Sequence, residues 1–169
     1  MDSTAFMTLA LACAPAVHID TAQALVDVES ALNPWAIGVV GGTLVRQPSR
    51  RAEALATARA LQANGWNISV GLAQINARNL RRLGLTLETA FEPCSNLAAM
   101  QAVLTECHER AGASAGSEQR VLQRALSCYY SGDFSTGFVH GYVQRVINAS
   151  ASTRRLASPS QVLNLKPKE

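Results

Sequence analysis

Trp66-Asn67-Ile68-Ser69-Val70-Gly71-Leu72-Ala73-Gln74-Ile75 breaks the period of the chain around it. Trp66, Ile68 and Val70 alternate with polar residues, and Gly71 interrupts the run. That is the pattern of a short extended or hairpin segment. On either side the apolar spacing is helical. Upstream, Asp20 reads as the N-cap of a helix carrying Ala22, Leu25 and Val26, which Asn33-Pro34 ends. A Gly-rich connector without helical signal covers 37–48. Ser49 caps a second helix through Ala52, Leu55, Ala56, Arg59 and Ala60, closed by Asn64-Gly65. Downstream, 76–83 reads as a short basic helix closed by Gly84. Helices follow over 95–110, 118–129 and 136–148, with a small-residue loop at 111–117 and another loop at Ser131-Gly132-Asp133. The expected architecture is one mainly α domain (α+β) with a small β-hairpin element. It covers 1–148, and 149–169, which loses periodicity and holds both lysines, is expected to be a flexible tail.

Composition sets the limits. The 169 residues are 48% hydrophobic and 16% charged, enough for a sizeable core and too apolar for general disorder. No apolar run approaches the ~20 residues of a membrane span, and a net charge of +3 lacks the concentrated basic face of a nucleic-acid binder. No Lys or Arg precedes Arg46. The apolar opening 1–16 is like the hydrophobic stretch of a secretory signal but lacks its positive region; a first helix through Phe6, Leu9 and Leu11 is the preferred reading, with an atypical signal or another export route as the alternative.

Cys13, Cys94, Cys107 and Cys128 fit no metal spacing. Their even number permits two disulfides in an oxidising compartment, with four reduced thiols as the alternative. Cys94 and Cys107 sit at opposite ends of one predicted helix, about 19 Å apart at ~1.5 Å per residue, beyond the ~7 Å that a disulfide bridges. Cys13–Cys107 with Cys94–Cys128 is the preferred pairing.

Glu29 lies seven, four and three residues after Ala22, Leu25 and Val26, on the same face of their helix. Burial there would raise the carboxyl pKa and keep a proton available near neutrality, as a general acid requires. The alternative is a helix-end glutamate reaching solvent. Asp27, about 200° round the helix, should not share the site. In Ser69–Asn76, Gly71 permits close approach of a ligand to the backbone, while the amides of Gln74 and Asn76 suit sugar hydroxyls and N-acetyl groups. Such segments are also common in turns. Tyr129-Tyr130 before Ser131-Gly132, and Tyr142 in Gly141-Tyr142-Val143, are equally compatible with core aromatics.

The order of these pieces is more specific than any one of them. Glu29-Ser30 with Asn33-Pro34, then Gly71-Leu72-Ala73-Gln74-Ile75-Asn76, then Tyr129 before Ser131-Gly132, then Gly141-Tyr142-Val143, resembles the soluble lytic transglycosylases. The closer likeness, over about 13–148, is to the VirB1-type enzymes of type IV secretion systems. The resemblance implies a lysozyme-like fold whose hairpin lines a substrate cleft, with Glu29 as the one catalytic acid/base. It makes Ser30, Gly71, Gln74, Asn76, Tyr129 and Tyr142 the substrate-binding set. Ala73 stands where the family has Met, which would open one sugar subsite, and Tyr130 stands where many members have Asn.

The function so implied is cleavage of the β-1,4 MurNAc–GlcNAc bond of peptidoglycan to 1,6-anhydromuramoyl ends in the periplasm, opening the wall for a secretion system. Gln74 and Tyr129 are expected to hold the Glu29 proton. The partners implied are glycan strands and, through the tail, other secretion components. Neither a membrane span nor nucleic acid is expected. No cofactor or metal is implied, since the chain has no phosphate-cradling glycine loop or metal cluster. Two alternatives stay open: a lysozyme-type hydrolase with Asp133 as second carboxylate, and a non-catalytic peptidoglycan-binding scaffold.

Overall fold

Two short antiparallel pairings build a three-stranded sheet beside a body of helices. A computed structural model describes residues 1–112 and 117–157, with the side chains of 153–157 excluded. In chain order the elements are α1 (Ser3–Cys13), α2 (Ile19–Ser30), β1 (Ile37–Val39), α3 (Arg51–Ala63), β2 (Ile68–Val70), β3 (Ile75–Asn76), a 3-10 turn (Ala77–Asn79), α4 (Leu87–Ala90), α5 (Pro93–Gly112), α6 (Glu118–Ser131), α7 (Thr136–Val139) and α8 (Tyr142–Ala157). Strand order is β1-β2-β3, with Gly38 opposite Ser69 and Ser69 opposite Asn76. The expected hairpin is therefore present. Ile37–Val39 was not anticipated as a strand; it pairs with β2 across the chain and has no alternation of its own.

Several helix ends shift from their expected places for local reasons. His18, not Asp20, caps α2, its Nδ1 accepting from the Asp20 backbone N–H. Ser49 lies one residue outside the Arg50 cap of α3, and its N–H and hydroxyl both donate to Glu53. Pro93 opens α5, a position where the missing N–H is not needed. The basic segment after Asn76 forms only a single 3-10 turn. The expected last helix divides at His140-Gly141 into α7 and α8. Because α8 continues to Ala157, the expected tail does not begin at Ala149; 158–169 lies outside the described residues.

The core lies where α2, α5, α6 and α8 meet, with Leu25, Val26, Leu97, Met100, Tyr142 and Val143 buried. The first helix forms as expected and buries Phe6, while Leu11 stays exposed. Among the described residues no helix is long and apolar enough to cross a membrane. The disulfides are Cys13–Cys94, tying α1 to the start of α5, and Cys107–Cys128, tying α5 to α6. The expected Cys13–Cys107 and Cys94–Cys128 pairs are thus wrong. Helix α1 packs on α5 at its N-terminal end, which brings Cys13 to Cys94 and leaves Cys107 facing α6.

One buried side chain ties α5 to β2, to the turn after it and to the end of α4. Asn96 on α5, 1% exposed, donates from Nδ2 to the carbonyls of Val70 (3.0 Å) and Ala90 (2.7 Å) and accepts at Oδ1 from the Ala73 N–H (2.8 Å). Gly71 sits against it with φ +81, and a Cβ there would fall 2.3 Å from Asn96 Nδ2. Asn96→Ala would strand three buried backbone groups, each costing about 1–3 kcal/mol when unpaired. Urea unfolding should record a loss of at least about 3 kcal/mol; a loss within error of zero would disprove this role.

Candidate active site

Glu29 is the penultimate residue of α2, and the two residues after that helix, Ala31 and Leu32, both adopt left-handed backbone (φ 49 and 61). This turn carries the chain away sharply, leaving the Glu29 side chain at the edge of a cleft of about 540 Å³. The cleft is walled on one side by the sheet (Ser69, Gln74, Asn76) and on the other by Tyr129, Tyr130 and His140. Glu29 is partly buried, and that burial pushes its carboxyl from 4.5 up to about 7. The hydrogen bond from Tyr142 and the charge of Arg145 pull the other way, but less strongly. The tyrosine hydroxyl donates to Glu29 Oε1 at 2.5 Å. Among the described residues no protein donor reaches Oε2, which is therefore the oxygen free to carry a proton toward a ligand.

The remaining predicted residues divide by what they do. Gln74, itself in left-handed backbone (φ 49), donates from Nε2 to the carbonyls of Ala36 (3.1 Å) and Gly71 (2.9 Å). Its Oε1 rests against Gly38, where a Cβ would come within 2.6 Å. Asn76 accepts from the Arg78 N–H and lines the cleft beside Ser69. Ser30 bonds back to the Val26 carbonyl and lines a recess of about 360 Å³ that continues the cleft past Glu29. Asp27 lines that recess but not the cleft itself, and its carboxylate accepts from Gln23.

Tyr129 donates to the Ala73 carbonyl (2.6 Å), so neither it nor Gln74 holds the Glu29 proton as expected. That part falls to Tyr142, while Tyr129 pins the Gly71–Gln74 turn to α6. Gly71 does not bring backbone to a ligand, because the close approach it permits is to Asn96. Ala73 is fully buried and opens no subsite.

Sequence reasoning missed Asn96, Gly38 and His140. Gly38 stood in the connector as one of several glycines. Asn96 looked like an ordinary polar residue in a helix, and only the fold shows what surrounds it. Tyr130, half-exposed at 41%, stacks on Tyr142 with ring centroids 4.6 Å apart, and its hydroxyl meets His140 Nδ1 at 3.2 Å.

The arrangement presents one protonatable carboxyl, held from behind by a phenol, in a cleft lined by amides, hydroxyls and aromatic rings. Among the described residues that line the cleft Glu29 is the sole carboxylate. Asp133 is held elsewhere. It accepts from the N–H and hydroxyl of both Ser135 and Thr136, and these bonds keep its carboxyl far below the usual range. Among the described residues no group of three or more His, Cys, Asp or Glu side chains is arranged to hold a metal ion.

Residues 7–150 match the transglycosylase SLT domain. The chain belongs to that family. The type IV secretion system protein virB1 of Brucella suis biovar 1 is 47% identical to it over 159 residues, 90% of this chain and 67% of that protein. Protein virB1 of Agrobacterium fabrum is 38% identical over 166 residues, 97% of this chain and 64% of that one. Protein virB1 of Rhizobium radiobacter is 37% identical over 154 residues, 90% and 63% of the two chains. The chain spans about two thirds of the length of these relatives. No solved structure matches it.

In this SLT domain the raised pKa of Glu29 ties stability to pH. A carboxyl whose folded pKa is about 7 against 4.5 contributes fully below about pH 4.5, and the contribution is lost as pH rises through about 7. Glu29→Gln removes that dependence. At about pH 8 the variant should be more stable than the wild type by on the order of 3 kcal/mol, with the difference vanishing near pH 4. Paired urea titrations at the two pH values test this, and equal offsets at both would refute it.

Proposed function

We propose that this chain is a peptidoglycan lytic transglycosylase acting outside the cytoplasmic membrane, in the periplasm. The observation that carries the proposal is a carboxyl poised near neutrality, alone among the described residues that line its cleft. Protonated Glu29 gives its Oε2 proton to the oxygen bridging MurNAc and GlcNAc as the C1–O bond breaks. The substrate's own N-acetyl oxygen supports the positive charge growing at C1. The C6 hydroxyl then attacks C1, and its proton passes to the Glu29 carboxylate, restoring the acid and closing a 1,6-anhydro ring. No water enters, so no second carboxylate is needed to activate one; two-carboxylate glycosidases meet that need differently.

Tyr142 matters at both stages. Its hydroxyl holds Oε1, so the proton sits on the oxygen without a protein donor. When Glu29 is a carboxylate, the same bond steadies the charge. The competing hydrolase reading requires a partner for Glu29. Asp133 is poorly suited, since its carboxylate is occupied at the start of α7 and does not line the cleft. The names of the virB1 relatives support placing this activity in a type IV secretion system, with local opening of the wall as its purpose. Glycan strands are the proposed substrate, and 158–169 is proposed to meet other secretion components.

Mass spectrometry of fragments released from purified sacculi should find anhydro ends and no new reducing ends. Reducing ends would favour the hydrolase. Glu29→Gln should cost about a thousandfold or more in rate, within the range of a lost general acid. Because the protonated form starts the reaction, kcat/KM should fall as pH rises through about 7. Tyr142→Phe removes a bond that lowers the Glu29 pKa, so that limb of the profile should move to higher pH. A profile unmoved by the substitution would exclude the proposed coupling.

A further inference from the structure

Beyond the cleft, the same face of the sheet carries a second recess, of about 220 Å³, lined by Gln62, Gly65, Trp66, Asn67, Ala77 and Arg78. Its relation to the cleft follows from strand geometry. Ile68 and Val70 of β2 point into the core, so Asn67 and Ser69 share the opposite face. Ser69 lines the cleft and Asn67 lines the recess, about 7 Å along the strand. On the neighbouring segment, Asn76 lines the cleft, and Ala77 and Arg78 line the recess. The two depressions therefore follow one another along a single surface.

The chemistry of the recess is unusual for a surface. Trp66 is 48% exposed, although its backbone N–H is fixed by the Leu61 carbonyl. A Cβ on Gly42 would lie 3.8 Å from its ring, and Gly42 directly follows the Val40-Gly41 wall of the cleft. Arg78 is exposed, and among the described residues none of the ion pairs uses it.

We propose that this recess is a distal subsite for the glycan strand bound in the cleft. Trp66 receives the apolar face of an aminosugar, and Arg78 pairs with a carboxylate of the peptide that the sugar carries. An indole offers a large apolar face at little entropic cost, and Arg suits a carboxylate through its forked donors. The proposal rests on the cleft being a peptidoglycan site and adds how the enzyme recognises strand length and peptide substitution.

The test uses Glu29→Gln protein, which binds without turnover, and uncrosslinked peptidoglycan strands of graded length with and without their peptides. Tryptophan emission should shift on binding long strands, and the shift should disappear in Trp66→Phe. Trp66→Ala in the same background should weaken binding of long strands about tenfold, with a smaller loss on strands too short to reach both depressions. Arg78→Ala should weaken only strands that keep their peptides. Arg78 is exposed, so this second variant keeps the test sound should Trp66→Ala fold poorly. Equal binding by both variants and the parent, or emission indifferent to long strands, overturns the proposal. Anhydro products from wild-type protein with Trp66-independent binding would remove the distal subsite alone. Trp66-dependent binding without such products would remove the catalytic reading alone.

Discussion

The hydrogen bonds of Asn96 are the constraint on which the geometry of the cleft rests. Three backbone groups, in β2, in the turn after it and at the end of α4, converge on one amide in the interior. Each would be costly to bury alone, and the side chain satisfies all three. The turn held in this way carries Gln74 in left-handed backbone, and Tyr129 clamps it from the other side through the Ala73 carbonyl. The sheet has only short strands, so its position relative to the helices is set by these side-chain ties more than by its own ladder.

The acid and its partner come from opposite ends of the domain. Glu29 and Tyr142 are separated by 113 positions in the chain, yet α2 and α8 pack side by side and bring them into contact. Burial alone raises the Glu29 pKa, while the phenol and Arg145 moderate it. The balance leaves the carboxyl near neutrality, where one group both gives and takes a proton readily. A dry pocket without Tyr142 would hold the proton too tightly, and an open one would release it too early.

Much of this was legible in the chain. The face shared by Ala22, Leu25, Val26 and Glu29 marked a carboxyl aimed at the core, and the alternation at Trp66–Val70 marked the hairpin. Both are local patterns whose period belongs to one element. Features made by distant residues left little trace. Ile37–Val39 becomes a strand because β2 lies beside it, Gly71 is required by Asn96, and Tyr142 reaches Glu29 only after α8 docks on α2. Positions 136–148 read as one helix because the apolar spacing survives the break at His140-Gly141. Spacing could exclude Cys94–Cys107 but could not choose between pairings that depend on how α1 packs.

The disulfide pattern bears on how such a chain reaches its folded state. Each cysteine is joined to its immediate neighbour in the sequence of thiols, Cys13 with Cys94 and then Cys107 with Cys128. A polypeptide threaded amino-end first into an oxidising space would thus present every thiol to its proper mate before a rival emerged. The order of emergence would thus favour the native framework over its rivals.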